Sequence, residues 1–116
     1  MKLNVLDKSY NKVINFDIGA TFGSVCGQPR AIDFDTSEKN LVIGTFGSEI
    51  FSVPIEIAKS SLGKHQCLIQ GHYCPKQKDT NEVWGLCKIN NKELPDYQYI
   101  TVGDDATLRV WNADKK

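Results

Sequence analysis

The stretch YITVGDDATLRVWN, Tyr99 to Asn112, decides the fold. It reads as an apolar strand, a tight acidic turn and a second strand that ends in tryptophan. Glycine and paired aspartates are ordinary turn chemistry between two strand-forming runs. A hairpin alone does not require Thr101, Asp105 and Trp111 at these offsets. Their types suggest a hydrogen-bonded set that a histidine upstream would complete.

Working outward, the same pattern recurs. LVIGTFGSEIFSV (Leu41–Val53) superposes on YITVGDDATLRVW (Tyr99–Trp111) with an offset of 58 residues. Upstream, PRAIDF (Pro29–Phe34) and VWGLCK (Val83–Lys88) are comparable first strands, offset by 54. The unit is therefore strand a, strand b, strand c and a following strand d, a pattern that reads as a propeller blade. Gly71-His72 opens the second unit and Trp111-Asn112 closes it. His72 and Trp111 lie within the spacing of a blade of roughly 40–45 residues.

The rest of the chain agrees with this reading. No run carries apolar residues at i, i+3, i+4 and i+7 over three turns, so helices are not expected. Nine short β-type segments are predicted instead: 3–6, 12–18, 30–35, 40–45, 49–57, 66–70, 83–89, 97–102 and 107–111. Turn-forming clusters separate them, and the connections are too short for helical crossovers. The expected fold is all-β, with antiparallel meander blades of a propeller. At about 40 residues per blade, 116 residues supply about two blades and cannot close a ring. Residues 1–27 are expected to be the end of a preceding blade (strands c and d) and its connection. Residues 28–71 would form a degenerate blade, and residues 72–116 a blade with an intact polar set that lacks its last strand. Open blade faces and unpaired edges then predict self-association.

The second unit resembles the WD-repeat family on Gly71-His72, Thr101, Asp105 and Trp111-Asn112. The resemblance implies a structural tetrad of His72, Thr101, Asp105 and Trp111. The chemistry is coherent, because a buried Asp needs charge-assisted donors and an imidazole N–H supplies one. The other ring nitrogen accepts from the Thr101 hydroxyl, which accepts the Trp111 indole N–H. Asn112 stands where the family usually has Asp. In the first unit Ile43, Gly47 and Val53 replace Thr101, Asp105 and Trp111, so packing alone is expected to hold that blade.

Longer phrases narrow the resemblance. QPRAIDFD and NLVIGTFGSEIF (Gln28–Phe51), LIQGH (Leu68–His72), EVWGLC (Glu82–Cys87) and TVGDDATLRVWN (Thr101–Asn112) are similar to the echinoderm microtubule-associated protein-like (EMAP-like) family. This resemblance covers most of residues 28–112. It implies a non-enzymatic protein–protein interaction scaffold in the cytoplasm and cytoskeleton, with tubulin and microtubules as partners. Dropping tubulin leaves a general WD-repeat assembly scaffold for other proteins.

Other chemistry is weakly supported. Basic and acidic residues balance at 14 each, with no long run of like charge, which argues against nucleic acid or an anionic membrane as partner. No apolar run approaches the length of a membrane span, and the N-terminus lacks the apolar core of a signal peptide. Cys67, His72, Cys74 and Cys87 could in principle form a zinc site, but no CxxC pair is present. The blander reading makes Cys67 and Cys87 small strand hydrophobes and Cys74 a loop thiol. Cys26 lies in a glycine-rich loop that lacks phosphate-loop spacing. Asp104-Asp105 could be paired carboxylates; otherwise Asp105 serves the tetrad and Asp104 shapes the turn. No catalytic residue, cofactor or metal is therefore expected. Trp84 is either a core residue or an exposed aromatic at the rim, where it would be a binding anchor.

Overall fold

The strand-forming run Leu41–Thr45, with β-branched Val42, Ile43 and Thr45, and its partner Glu49–Glu56 organise the molecule. In this computed structural model, which describes residues 2–17, 28–56, 61–62, 66–75, 81–93 and 98–112, they are strands β4 (Asn40–Thr45) and β5 (Glu49–Glu56). β3 (Pro29–Phe34) pairs with β4, and β7 (Gln66–Gln70) pairs with β5, giving an antiparallel four-stranded sheet in the order β3-β4-β5-β7. The short β6 (Ser61–Leu62) pairs with the far end of β5. A second antiparallel sheet has the order β8-β9-β10, built from Val83–Lys88, Tyr99–Gly103 and Leu108–Trp111. β1 (Lys2–Leu6) and β2 (Lys12–Asp17) form a separate antiparallel hairpin. The chain is thus all-β, and no helix occurs among the described residues.

The expected strands appear within a residue or two at most ends. β6 was not anticipated: two residues between glycine and serine signals carry no periodicity to read. The ends predicted at Ile18, Ile57 and Tyr97 lie outside the described residues. Bulges at Val83/Gly85 and Ile50/Phe51 break the simple two-residue alternation. A bulge places neighbouring residues on one side of a strand, so alternation alone misassigns β8.

The hydrophobic residues form two layers. On one face of the first sheet Leu41, Ile43 and Val53 are buried, with Ile55 packed beside them. The opposite face carries Val42 and Ile50, which pack against Val83, Tyr99 and Trp111 of the second sheet. The sheets therefore stack face to face. Contact is closest at Gly44, where an added Cβ would lie 2.5 Å from Val83 Cγ1. Burying each of these aliphatic side chains contributes roughly 1.5–3 kcal/mol. Tyr99 and Trp111 stack with ring centroids 6.5 Å apart. Polar links run along the seam. Arg30 Nε meets Glu82 Oε2 at 2.6 Å, the Lys88 amide donates to Asp33 Oδ2 at 2.7 Å, and Lys88 Nζ meets Glu38 at 2.6 Å.

The antiparallel register fixes the faces of the second sheet. Thr101 stands opposite Leu86 and Arg109, and Tyr99 opposite Trp111. Tyr99 and Trp111 belong to the core between the sheets. Ile100 opposite Val110, and Val102 opposite Leu108, form the other face. That face is bare: Leu108 is 63% exposed, and Val102 and Val110 about as exposed as surface residues.

Candidate functional site

The segment Gly71–Cys74 enters the second sheet beside the β9–β10 turn. Gly71 has a steric reason. A Cβ there would come within 2.5 Å of Ile50 Cδ1 and 3.2 Å of Trp111. Its amide donates to the Ser48 carbonyl at 2.7 Å, which ties the segment to the β4–β5 turn. His72 follows and is completely buried. Gly103 leaves room for its ring, since a Cβ there would approach His72 Cγ at 2.5 Å.

Each polar atom of the His72 ring is used. Nδ1 lies 2.8 Å from Asp105 Oδ1 and Nε2 lies 2.7 Å from Thr101 Oγ1. The Trp111 indole Nε1–H donates to the same Thr101 oxygen at 2.7 Å. An ionised carboxylate only accepts, so Nδ1–H donates to Asp105. Thr101 accepts from the indole and gives its own proton to Nε2. His72, Thr101, Asp105 and Trp111 therefore form one continuous chain of hydrogen bonds, from the segment before β8 to the β9–β10 hairpin.

Two further residues, Thr107 and Arg109, belong to this set and escaped the sequence reading. The Thr107 amide and hydroxyl both donate to Asp105 Oδ1, at 3.1 and 2.7 Å. Arg109 Nη2 donates to Asp105 Oδ2 at 2.9 Å. Thr107 was legible in principle, because an Asp followed two residues later by Thr is an Asx-type turn. Arg109 follows from register, since it pairs with Thr101 across the sheet. Burial pushes the Asp105 carboxyl up, but bonds from His72 and Thr107 outweigh it and hold the group well below the usual carboxylate range.

Asp104 does more than shape the turn. Its Oδ2 accepts the Glu82 amide at 2.8 Å, and Oδ1 accepts the Trp84 indole N–H. It clamps the start of β8 to the hairpin. Of the two readings for Trp84, the structure shows the exposed one, with the residue 60% accessible. The bulge turns it away from the seam, and Asp104 holds it by the indole nitrogen.

The first unit departs from the expectation that packing alone holds it. Thr45 and Glu49 are both buried, and the Thr45 hydroxyl donates to the Glu49 carboxylate across the β4–β5 turn. The Gly47 amide also donates to Thr45 Oγ1 at 3.2 Å. The superposed sites Ile43, Gly47 and Val53 hold no polar side chain, so the lock uses Thr45 and Glu49 instead, which the 58-residue offset sets against Gly103 and Thr107.

The remaining candidates are dispersed. Cys67 and Cys87 are exposed rather than buried strand hydrophobes, and Cys74 is partly buried. They do not gather with His72 into a ligand group, and among the described residues no three His, Cys, Asp or Glu side chains do so. Both ring nitrogens of His72 are already engaged. Cys26 lies outside the described residues. Among those residues no helix is long and apolar enough to cross a membrane. Comparison with known proteins returned no matching family model, no similar curated protein and no similar solved structure.

Proposed function

We propose that this chain is a stretch of a WD-repeat β-propeller, about two blades with the end of a preceding one, acting as a non-enzymatic protein–protein interaction scaffold. One observation carries this reading: the two sheets stack as consecutive members of a repeat. Val42, Gly44 and Ile50, which cover the second sheet, correspond through the 58-residue offset to Ile100, Val102 and Leu108. Those are the residues of the bare face. Likewise Leu41, Ile43 and Val53 correspond to Tyr99, Thr101 and Trp111, and both sets are turned to the opposite face. Such head-to-tail equivalence supports an array in which every sheet covers the next. The hydrogen-bonded set around His72 supports the WD-repeat form of that array.

The scaffold role follows from the kind of residue the site contains. His72, Thr101, Asp105 and Trp111 bond one another, which suits a structural lock. Trp84 is instead held exposed by Asp104, the arrangement of a rigid aromatic anchor for a protein partner. Microtubules are the proposed partner, on the resemblance to the EMAP-like family, and the cytoskeleton the proposed location.

Co-sedimentation with polymerised tubulin over a salt series tests the partner. Saturable pelleting that survives moderate salt, and weakens several-fold in Trp84→Ala, is the expected result. A folded protein that stays in the supernatant would leave a general assembly scaffold as the reading.

A further inference from the structure

A cavity of about 380 Å³ opens between the two sheets at the β3–β4 turn, away from the His72 set. Its floor is apolar: Val42 and Tyr99, both nearly buried, and the half-buried Leu68. Its mouth is polar, with Asp35, Asn40, Ser52 and Gln98 around it. Three apolar side chains within a mostly polar lining make this a polar cleft, whose volume is at the small end of the range for binding pockets.

The charge at the mouth has one sign. Asp35 accepts from Ser37 Oγ at 2.9 and 2.8 Å, from the Lys39 and Asn40 amides at 3.1 and 3.2 Å, and from Asn40 Nδ2 at 2.7 Å. All of these donors are neutral. They fix the carboxylate in place without cancelling its charge. Burial pushes the group up, but the bonds from Asn40 and Ser37 prevail and keep it below the ordinary aspartate value. Among the described residues no cation forms an ion pair with it. Lys88, which feels the field of Asp33, Asp35 and Glu38, is tied to Glu38 at 2.6 Å.

We infer that this cleft receives one basic side chain, an arginine or lysine, from a partner polypeptide. The aliphatic stem would lie along Val42, Leu68 and Tyr99, because long basic side chains bury their methylenes while keeping the charged head polar-solvated. The head would meet the field of Asp35, with the oxygens of Asn40, Ser52 and Gln98 as acceptors. That the side chain belongs to a protein rests on the scaffold reading; the pocket chemistry stands on the chain itself.

The probe is N-acetyl-arginine amide, titrated into the isotope-labelled chain and followed by amide chemical shifts. N-acetyl-citrulline amide, the same shape without the charge, serves as comparison. The expected result is a saturable shift at Asn40, Ser52 and Gln98, at least fivefold weaker for citrulline. Ser52→Phe, which fills the mouth, should abolish the shifts while its spectrum stays dispersed and the amides of Thr101 and Thr107 keep their positions. Absence of a saturable shift, an equal response to citrulline, or an undiminished response in Ser52→Phe would each overturn the inference. Because the probe is a small molecule, a negative tubulin result and a negative titration refute different statements.

Discussion

Asp105 joins the segment before β8 to the β9–β10 hairpin. Its carboxylate gathers His72, Thr107 and Arg109, and its own side chain is only 5% exposed. Removing it leaves the fully buried His72 Nδ1–H with only the Thr107 hydroxyl, at a long 3.4 Å, as acceptor, which costs more than an average hydrogen bond. Asp105→Ala should therefore destabilise the chain by about 3 kcal/mol in urea unfolding. The pH dependence has a definite sign. The folded-state pKa of Asp105 lies below the ordinary value, so the unfolded chain takes up its proton first as pH falls. The stabilisation is complete above about pH 4 and is lost on acidification towards the folded-state pKa. Asp105→Asn should flatten the acid limb of the stability profile relative to the parent by up to about 1.4 kcal/mol per pH unit. Equal acid limbs in the two proteins would remove Asp105 from the account. Gly103→Ala tests the same site sterically. Its methyl meets the His72 ring and the Glu82 carbonyl, and that carbonyl is backbone which cannot swing aside. A loss of about 1–3 kcal/mol is expected, from overpacking.

At the scale of the element, the hairpins share more than their sequences announce. Ser48 and Ala106 occupy equivalent turn positions and both have positive φ, at 71° and 57°. Neither is glycine, so each turn carries backbone strain. Ala106→Gly should stabilise the chain by about 0.5 kcal/mol, the relief of strain exceeding the added entropy of the unfolded state. A fall in thermal midpoint would show that the turn holds Ala106 without strain. The same two hairpins show what the sequence discloses and what it withholds. Strands were readable because alternating β-branched runs sit between clear turn signals, and Gly71-His72 and Trp111 bracket a recognisable unit. His72, Thr101, Asp105 and Trp111 were readable through the resemblance to the WD-repeat family, which places those residue types at those spacings. Thr45 and Glu49 were not, since in sequence they are an ordinary strand-end Thr and an ordinary acidic residue. Only the β4–β5 turn brings them together and buries them. Trp84 needed the bulge at Val83/Gly85, a feature of backbone geometry rather than of residue pattern.

For the molecule as a whole, one sheet face is covered and its equivalent is not. The seam between the sheets depends on close approach at Gly44, where a side chain would strike Val83. Gly44→Val should force the sheets apart and lower stability by more than Gly44→Ala, with the ordering read from chemical denaturation midpoints. The bare face has no such seam. Ile100, Val102, Leu108 and Val110 form an apolar patch with no charged residue among them, which water disfavours and another apolar surface would cover. The chain should therefore associate with itself, with a sedimentation coefficient that rises with concentration. Leu108→Lys places a charge on the most exposed of the four, with its side chain on the sheet face opposite Thr101 and Trp111. It should shift association to at least tenfold higher concentration and leave the unfolding midpoint of the monomer within about 0.5 kcal/mol of the parent. If association were instead driven by free strand edges, Leu108→Lys would leave it unchanged, because backbone N–H and C=O groups pair without regard to that side chain. The sedimentation series thus separates a face that awaits a further sheet from an edge that awaits a further strand. Only the first is what a stack of equivalent sheets requires.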